Sequence, residues 1–475
     1  MKKTLLLVLA LPAWGCAGLS KTRGHREVAE LVKERTGQET GWSQGSPEEA
    51  QVTTHVEALL KGGLTPDRAV AIALINNPAL QATYEGLGVS QADLVQAGLL
   101  SNPSLSGSVG FPATSGGRIE YEASIVQSFL DLFVLPARKR IARQQFQADI
   151  QRVAHEALGL VAQVRQAFAR LQAGAQRVVL QRTVVEVARM GAELAQRQFE
   201  AGNVNDLVLA AQQVSYQQTR LDLAAEELEW VERREALHRL LGLSSEPTAW
   251  TPPPLPEPPE RELPLDRLED VALQQRLDVD AARKQTLLLE NALGLAKTSR
   301  FLGLIEVGVH AHQDPDGPRL FGPTLSLELP IFDQRQAMIG RLEAQKRQAE
   351  RTLKALSVDA RSEVRVARAQ LLNARRVVES YRTELLPLRE RVLEHSQRQY
   401  NAMQSGLYVL LDARQQQAEA YRGYIDALLR YWSARAELER VVGGRIGEFV
   451  TRRGVENGSI EDTINAEETH EHPTP

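Results

Sequence analysis

The 475-residue sequence contains one cysteine, Cys16, so a single chain can form neither an internal disulfide nor a multi-cysteine metal site. It has no run of 18 or more apolar residues, and without one no helix spans a bilayer. Aromatic residues are only 5% of the chain, as expected of a helix-rich protein filled with Ala, Leu, Val, Gln, Glu and Arg. Lys and Arg (56) nearly balance Asp and Glu (60), and the resulting net charge of −4 gives no basis for nucleic acid binding. The motifs G-x-x-x-x-G-K-S/T and H-E-x-x-H are absent, as is a dinucleotide-binding glycine pattern, and the one G-x-S-x-G match, Gly41-Trp42-Ser43-Gln44-Gly45, lacks the strand pattern before it that a nucleophile turn needs. His155-Glu156 lacks a second histidine at the spacing a zinc site needs. These gaps leave no reactive constellation for an enzyme, no expected cofactor and no resident metal.

What is present begins with two hairpin patterns. Around 306–313 and 322–329, Val307, Val309 and Ala311 alternate with Gly308, His310 and His312, and Leu325, Leu327 and Leu329 alternate with Thr324, Ser326 and Glu328. A period of two separates an apolar face from a polar one. Asp314-Pro315-Asp316-Gly317-Pro318 supplies turn chemistry between the arms. A similar pair lies near 104–111 and 119–128, with Glu120 and Glu122 on its polar side and the turn at 112–117.

Nearly everything else reads as helix. Phe146, Ile150, Val153, Ala157, Val161, Val164, Phe168, Leu171, Ala175 and Val178 recur at steps of three and four, the narrow apolar seam of a coiled coil. The N-terminal stretch 1–15 forms an export signal, in which Lys2 and Lys3 precede an apolar core from Leu5 to Leu11. Gly15-Cys16 resembles a lipobox, which implies cleavage before Cys16 and acylation of its thiol; a plain secretory signal is the alternative. Under the lipobox reading, the lack of an Asp after Cys16 points to the outer membrane.

The expected division follows. It comprises a signal (1–15), an extended lipid-anchored segment (16–63), a first repeat (64–250), a polyproline linker (251–264), a second repeat (265–447) and a disordered tail (448–475). Long helices are expected at 136–199 and 204–241, and again at 335–401 and 407–443. The duplication rests on a nearly constant offset. Leu64-Thr-Pro-Asp-Arg is matched by Leu263-Pro-Leu-Asp-Arg, Phe199-x-Ala201 by Tyr400-x-Ala402, and Leu237…Gly242 by Leu438…Gly443.

Strands of about 8 to 10 residues with one apolar face suit a transmembrane barrel wall. Four of them cannot close a ring, so copies of the chain must pool their strands. With Asn76-Asn77-Pro78, Leu327-Glu-Leu-Pro-Ile-Phe-Asp333 and Leu410-Leu-Asp-Ala413, the repeat order resembles the TolC-type outer membrane efflux proteins over residues 64 to 447. The resemblance implies a fold class, mainly α with a membrane β-barrel, in which three chains form a 12-stranded barrel and a periplasmic α-barrel. It also implies a passive homotrimeric exit duct in outer membrane lipid. A periplasmic adaptor would open that duct, and an inner membrane pump of the resistance-nodulation-division or ABC type would drive it.

By the same resemblance, the tips (Gly202, Asn203 and Val204; Ser405, Gly406 and Leu407) would contact the adaptor, although Met403 stands where a glycine is expected. Asp412 would line the gate and Asp206 would join its polar network; each also reads simply as a helix-surface or helix-start acid. Glu120, Glu122, His310, His312 and Glu328 would face the barrel lumen. Two histidines per chain could mark a metal path, but a water-filled lumen needs polar side chains in any case. His470-Glu471-His472 in the tail is a weak metal-binding tract. The cargo (drugs, metal ions or proteins) is not encoded here. The rival reading is a lipid-anchored periplasmic tether, a coiled coil with no pore.

Overall fold

The computed structural model describes residues 23–43, 45–61, 63–111, 119–244, 250–262, 265, 267–313 and 317–446. Signal residues 1–15, Cys16, the turn at 112–117, Asp314 to Asp316 and the tail at 448–475 lie outside the described residues. The chain forms two compact units. These are not the two sequence repeats, because each unit draws segments from both.

The described part of the first unit comprises residues 23–27, 84–111, 119–153, 278–313 and 317–356. Its centre is a four-stranded antiparallel sheet in the order β1 (Ser104–Gly110), β2 (Glu120–Ser128), β3 (Ile305–Gln313), β4 (Arg319–Leu327). The hairpins therefore join through β2 and β3, with Ile125 opposite Val309 and Glu122 opposite His312. The last strand starts earlier and ends earlier than its sequence pattern predicts. Pro323 fits within it, opposite Val309, since β4 is an edge and an edge tolerates a residue without an N–H. Helix segments from α4 (Pro78–Gln96), α5 (Leu130–Glu200), α8 (Leu277–Thr298) and α9 (Gln336–Ser380) complete this unit.

The described part of the second unit comprises residues 28–43, 45–61, 63–83, 154–244, 250–262, 265, 267–277 and 357–446. Here the segment expected to be extended is instead helical: α1 spans Arg23–Thr36 and α2 spans Ser46–Lys61. Val28 and Val32 are fully buried one turn apart, so a short amphipathic stripe, masked by the charges around it, docks α1. The expected start of the first long helix at Pro136 is also corrected. α5 begins at Leu130 and runs 71 residues, about 107 Å at ~1.5 Å per residue. Its expected seam is real, with Ile150, Val164, Phe168 and Leu171 all buried.

Helix α6 (Asp206–Leu241) returns from α5. In the second repeat the outgoing helix is interrupted. After α9 comes one π-helical stretch, Tyr381–Leu385, before α10 (Leu386–Asn401) and the return helix α11 (Leu407–Val442). Pro387 in the first turn of α10 has no N–H for the regular ladder, which accounts for the break in register there.

The Asn76-Asn77-Pro78 motif is explained by a helix end. Short helix α3 (Pro66–Asn76) is started by Thr65, whose side chain accepts from the Arg68 amide, with Pro66 in the first turn. At its other end Asn76 Nδ2 donates to the carbonyls of Leu241 and Gly242 at 2.9 and 3.0 Å, and Asn77 Nδ2 donates to that of Leu240 at 2.9 Å. These are the orphan carbonyls of the α6 C-terminus. Gly242 is left-handed (φ 70°), and a Cβ there would sit 2.3 Å from the Asn76 carbonyl oxygen. The second repeat brings the same ends together. Gly443 (φ 97°) closes α11 against Gln275, at the end of α7 (Leu268–Gln275), where a Cβ would meet the Gln275 carbonyl oxygen at 3.1 Å.

The proline-rich linker has no helix or strand over residues 251–259, and it is tied down along its length. Gln172 Nε2 donates to the Pro253 carbonyl, and Trp432 Nε1 donates to that of Pro256. Tyr424 donates to Glu257 and buried Tyr431 to Glu262. Burial pushes the Tyr431 phenol up to about 12, so it stays a donor throughout the physiological range. Gly242→Ala combines a left-handed Cβ with a backbone clash and is expected to cost at least about 2 kcal/mol. Urea unfolding of the purified protein measures it. Ala at Gly159, where an added Cβ would meet open space, serves as the control.

Candidate functional site: the helical tips and the two-faced sheet

The two tips share one hydrogen-bond pattern. In the first, the Gly202 amide donates to Phe199 at 2.9 Å and the Asn203 amide to Gln198 at 2.8 Å. In the second, the Met403 amide donates to Tyr400 at 3.0 Å and the Gln404 amide to Gln399 at 2.8 Å. Gly202 and Met403, at matching places in the two repeats, occupy the left-handed position of the two turns (φ 76° and 55°). The second tip therefore needs no glycine to turn. It places the 94%-exposed Met403 side chain at its apex instead. Gly406 has an ordinary extended φ and stands at the cap of α11 without a side-chain bond, whereas Asn205 Oδ1 caps α6 by accepting from the Val208 amide at 3.1 Å. Val204, Ser405 and Leu407 are half-buried around these turns, while Asn203 is exposed.

Asp206 is the first residue of α6, exposed at the positive end of the helix, and it makes no side-chain hydrogen bond among the described residues. Asp412 lies on α11 and accepts from Gln416 Nε2 at 2.7 Å. The structure does not bring these two acids into one network. A contact that no sequence pattern announces is made by Tyr408, whose Oη donates to Gln198 Oε1 at 3.0 Å and so ties the root of the second tip to the first hairpin. Farther along, Arg177 pairs with Asp426 and Arg422 with Glu226 across the same two hairpins. No single-sequence signal marks such pairs, because each joins a residue of one repeat to a residue of the other.

Between these tie points is a cleft of about 400 Å³, walled by Leu180, Val184, Val187 and Leu411 and edged by Asp412 and Tyr421. Tyr421 donates to Glu390 at 2.8 Å, and that bond raises the phenol above its ordinary range.

The sheet has two chemically distinct faces. Leu105, Tyr121, Ile125, Val309, Phe321 and Leu325 share one face, and each is at least half-exposed. On the other, Ser106 bonds Ser124 at 2.8 Å, Ser108 reaches Glu122 at 3.4 Å, and His312 Nε2 lies 3.5 Å from Glu120 Oε1. His310 fits over Gly322, where a Cβ would approach its ring to 3.0 Å. Four of the five expected polar-face residues therefore share a face. Glu328 lies one residue past the end of β4, where its carboxylate accepts from the Leu304 amide at 3.0 Å. Among the described residues no three His, Cys, Asp or Glu side chains come together as a metal group.

Two tied helical hairpins with matching tips, plus a sheet whose apolar face has no cover, place the protein in the class of outer membrane channel folds. Residues 69–243 match the family described as outer membrane efflux protein. The cobalt-zinc-cadmium resistance protein CzcC of Cupriavidus metallidurans is 24% identical over 391 residues, 80% of this chain and 90% of that relative. A membrane protein of Pseudomonas aeruginosa shares the fold at a TM-score of 0.69 and 21% identity, covering 80% of this chain and 92% of its own. The Campylobacter jejuni CmeC outer membrane channel does so at 0.65 and 17% identity, covering 80% and 85%. Met403→Gly should remove left-handed strain and slow amide exchange at the second tip by about 0.5–1 kcal/mol of opening free energy. Gly202→Met should do the reverse at the first; hydrogen–deuterium exchange reads both.

Proposed function

We propose that the chain is the outer membrane exit duct of a tripartite efflux system. It works as a passive channel opened by a periplasmic adaptor at the tips and driven by an inner membrane pump. The observation that carries this is the uncovered apolar face of a four-stranded sheet with two free edges, β1 and β4. Hydrocarbon tolerates only a closed ring of strands. Three copies supply twelve strands, so we assign a homotrimer with Glu120, Glu122, His310 and His312 toward the lumen. Relatedness to a cobalt-zinc-cadmium resistance protein favours divalent cations as cargo. In that reading the histidines give passing cations a polar path rather than a resting place. Acylation of Cys16 would add an anchor to the same membrane.

The rival, a pore-free periplasmic tether, has no use for an apolar strand face of this length. Membrane extracts decide between them. A duct runs as a detergent-resistant trimer that dissociates to monomer on heating, whereas a monomer released by salt alone would leave only the tether. For the gate, Asp412→Ala is expected to raise single-channel conductance and weaken divalent-cation block in planar bilayers. Unchanged conductance and block would remove Asp412 from the aperture.

A further inference from the structure

An antiparallel sheet brings alternate strand ends together, and at one end of this sheet three of the four flanking segments expose large apolar side chains. They follow β2, precede β3 and follow β4; the segment before β1 is Ser101-Asn102-Pro103. Phe129, Phe133, Phe301, Leu329, Ile331 and Phe332 are exposed there, Phe133 at 68% and Phe332 at 92%. The segments are joined to one another. The Phe129 amide donates to the Ile305 carbonyl at 2.8 Å, the Glu328 amide to that of Leu304 at 2.9 Å, and Gln127 Nε2 to that of Ser101 at 2.8 Å. The Phe129 and Phe133 rings pack edge to face at 5.6 Å. This is an ordered apolar rim, continuous with the apolar face of the sheet.

Immediately beyond the rim the chemistry changes sign. Along α5, Phe133, Pro136, Arg140 and Arg143 follow steps of three and four, so Phe133 and the arginines share one helix face, with Phe129 just before its first turn. Arg140 and Arg143 are exposed and make no hydrogen bond or ion pair among the described residues; neither does Lys139. The nearby acids are already engaged. Asp131 accepts from Ser101 and lies 3.7 Å from Arg138, and Asp333 accepts from the Arg335 amide at 2.8 Å. Two helical turns separate Phe133 from Arg140, about 10 Å of helix. The polar layer of one leaflet is about 5–8 Å deep. A guanidinium on a flexible stem reaches back across that difference.

We propose that this rim seats in the periplasmic leaflet and that Arg140 and Arg143, with Lys139 beside them, hold the phosphates of anionic phospholipids. The aromatics fix the depth of the sheet and the cations choose the lipid. The inference rests on the channel reading, since only an inserted sheet places the rim in a leaflet.

The test uses the full-length protein extracted in mild detergent. Bound phosphatidylglycerol and phosphatidylethanolamine are compared by native mass spectrometry, and insertion is checked in planar bilayers. Wild type should retain phosphatidylglycerol at least about tenfold over phosphatidylethanolamine, each basic side chain contributing about fivefold. Inorganic phosphate should not displace the lipid. Arg140→Glu/Arg143→Glu should abolish the preference while leaving conductance intact, and Arg140→Lys/Arg143→Lys should keep most of it. Equal retention by wild type, a preference that survives charge reversal, or displacement by free phosphate would overturn the proposal. Failure of wild type to insert at all would overturn the channel reading and the lipid site with it; insertion without lipid choice overturns the lipid site alone.

Discussion

A strand at the end of a sheet leaves a row of N–H and C=O groups unpaired, and water is what makes that tolerable. Here both end strands are open while a whole face carries Leu, Ile, Val and Phe side chains outward. The two properties conflict in any single environment. An apolar face seeks hydrocarbon, and open edges in hydrocarbon cost several kcal/mol per unsatisfied group. Copies of the same sheet, edge to edge, remove the conflict without changing a residue.

The helical part obeys a different constraint. A long α-helix satisfies its own backbone except at its ends, so the ends need external partners. The side chains of Asn76 and Asn77 take the last carbonyls of α6, and Gly242 allows the approach. The second repeat keeps the geometry with other residues, placing Gly443 against Gln275. The tips show the same economy of pattern. Their hydrogen bonds match from one repeat to the other, although one turn uses glycine and the other methionine. Duplicated backbone with divergent side chains gives each chain two unequal hairpins. One has an uninterrupted outgoing helix, and the other is broken at Tyr381–Leu385.

The pinned linker binds the second unit internally. Side chains from α5, α9 and α11 grip it through Gln172, Arg375, Tyr424 and Tyr431. Polyproline has no hydrogen bonds of its own, so its carbonyls are free to accept from Gln172 and Trp432, while Arg375, Tyr424 and Tyr431 hold the carboxylates of Glu257 and Glu262. A segment that composition marks as a spacer thus acts as a strap.

Periodicity and punctuation were enough to read the strands, the α5 seam, the turns at both tips and the outward apolar face, since each depends on residues close together in the chain. Short-range pattern failed where long-range partners decided. Val28 and Val32 become a helix stripe only because something covers them, and the Glu328 carboxylate accepts from the Leu304 amide, a partner that no pattern announces. Tyr408 matters through Gln198, which belongs to the other repeat. The sequence by itself determined which segments are helix or strand and which face of each is apolar, because side-chain spacing and backbone geometry share fixed periods. Only the tertiary structure decided which distant donors meet which acceptors, because those pairings follow from how the hairpins pack.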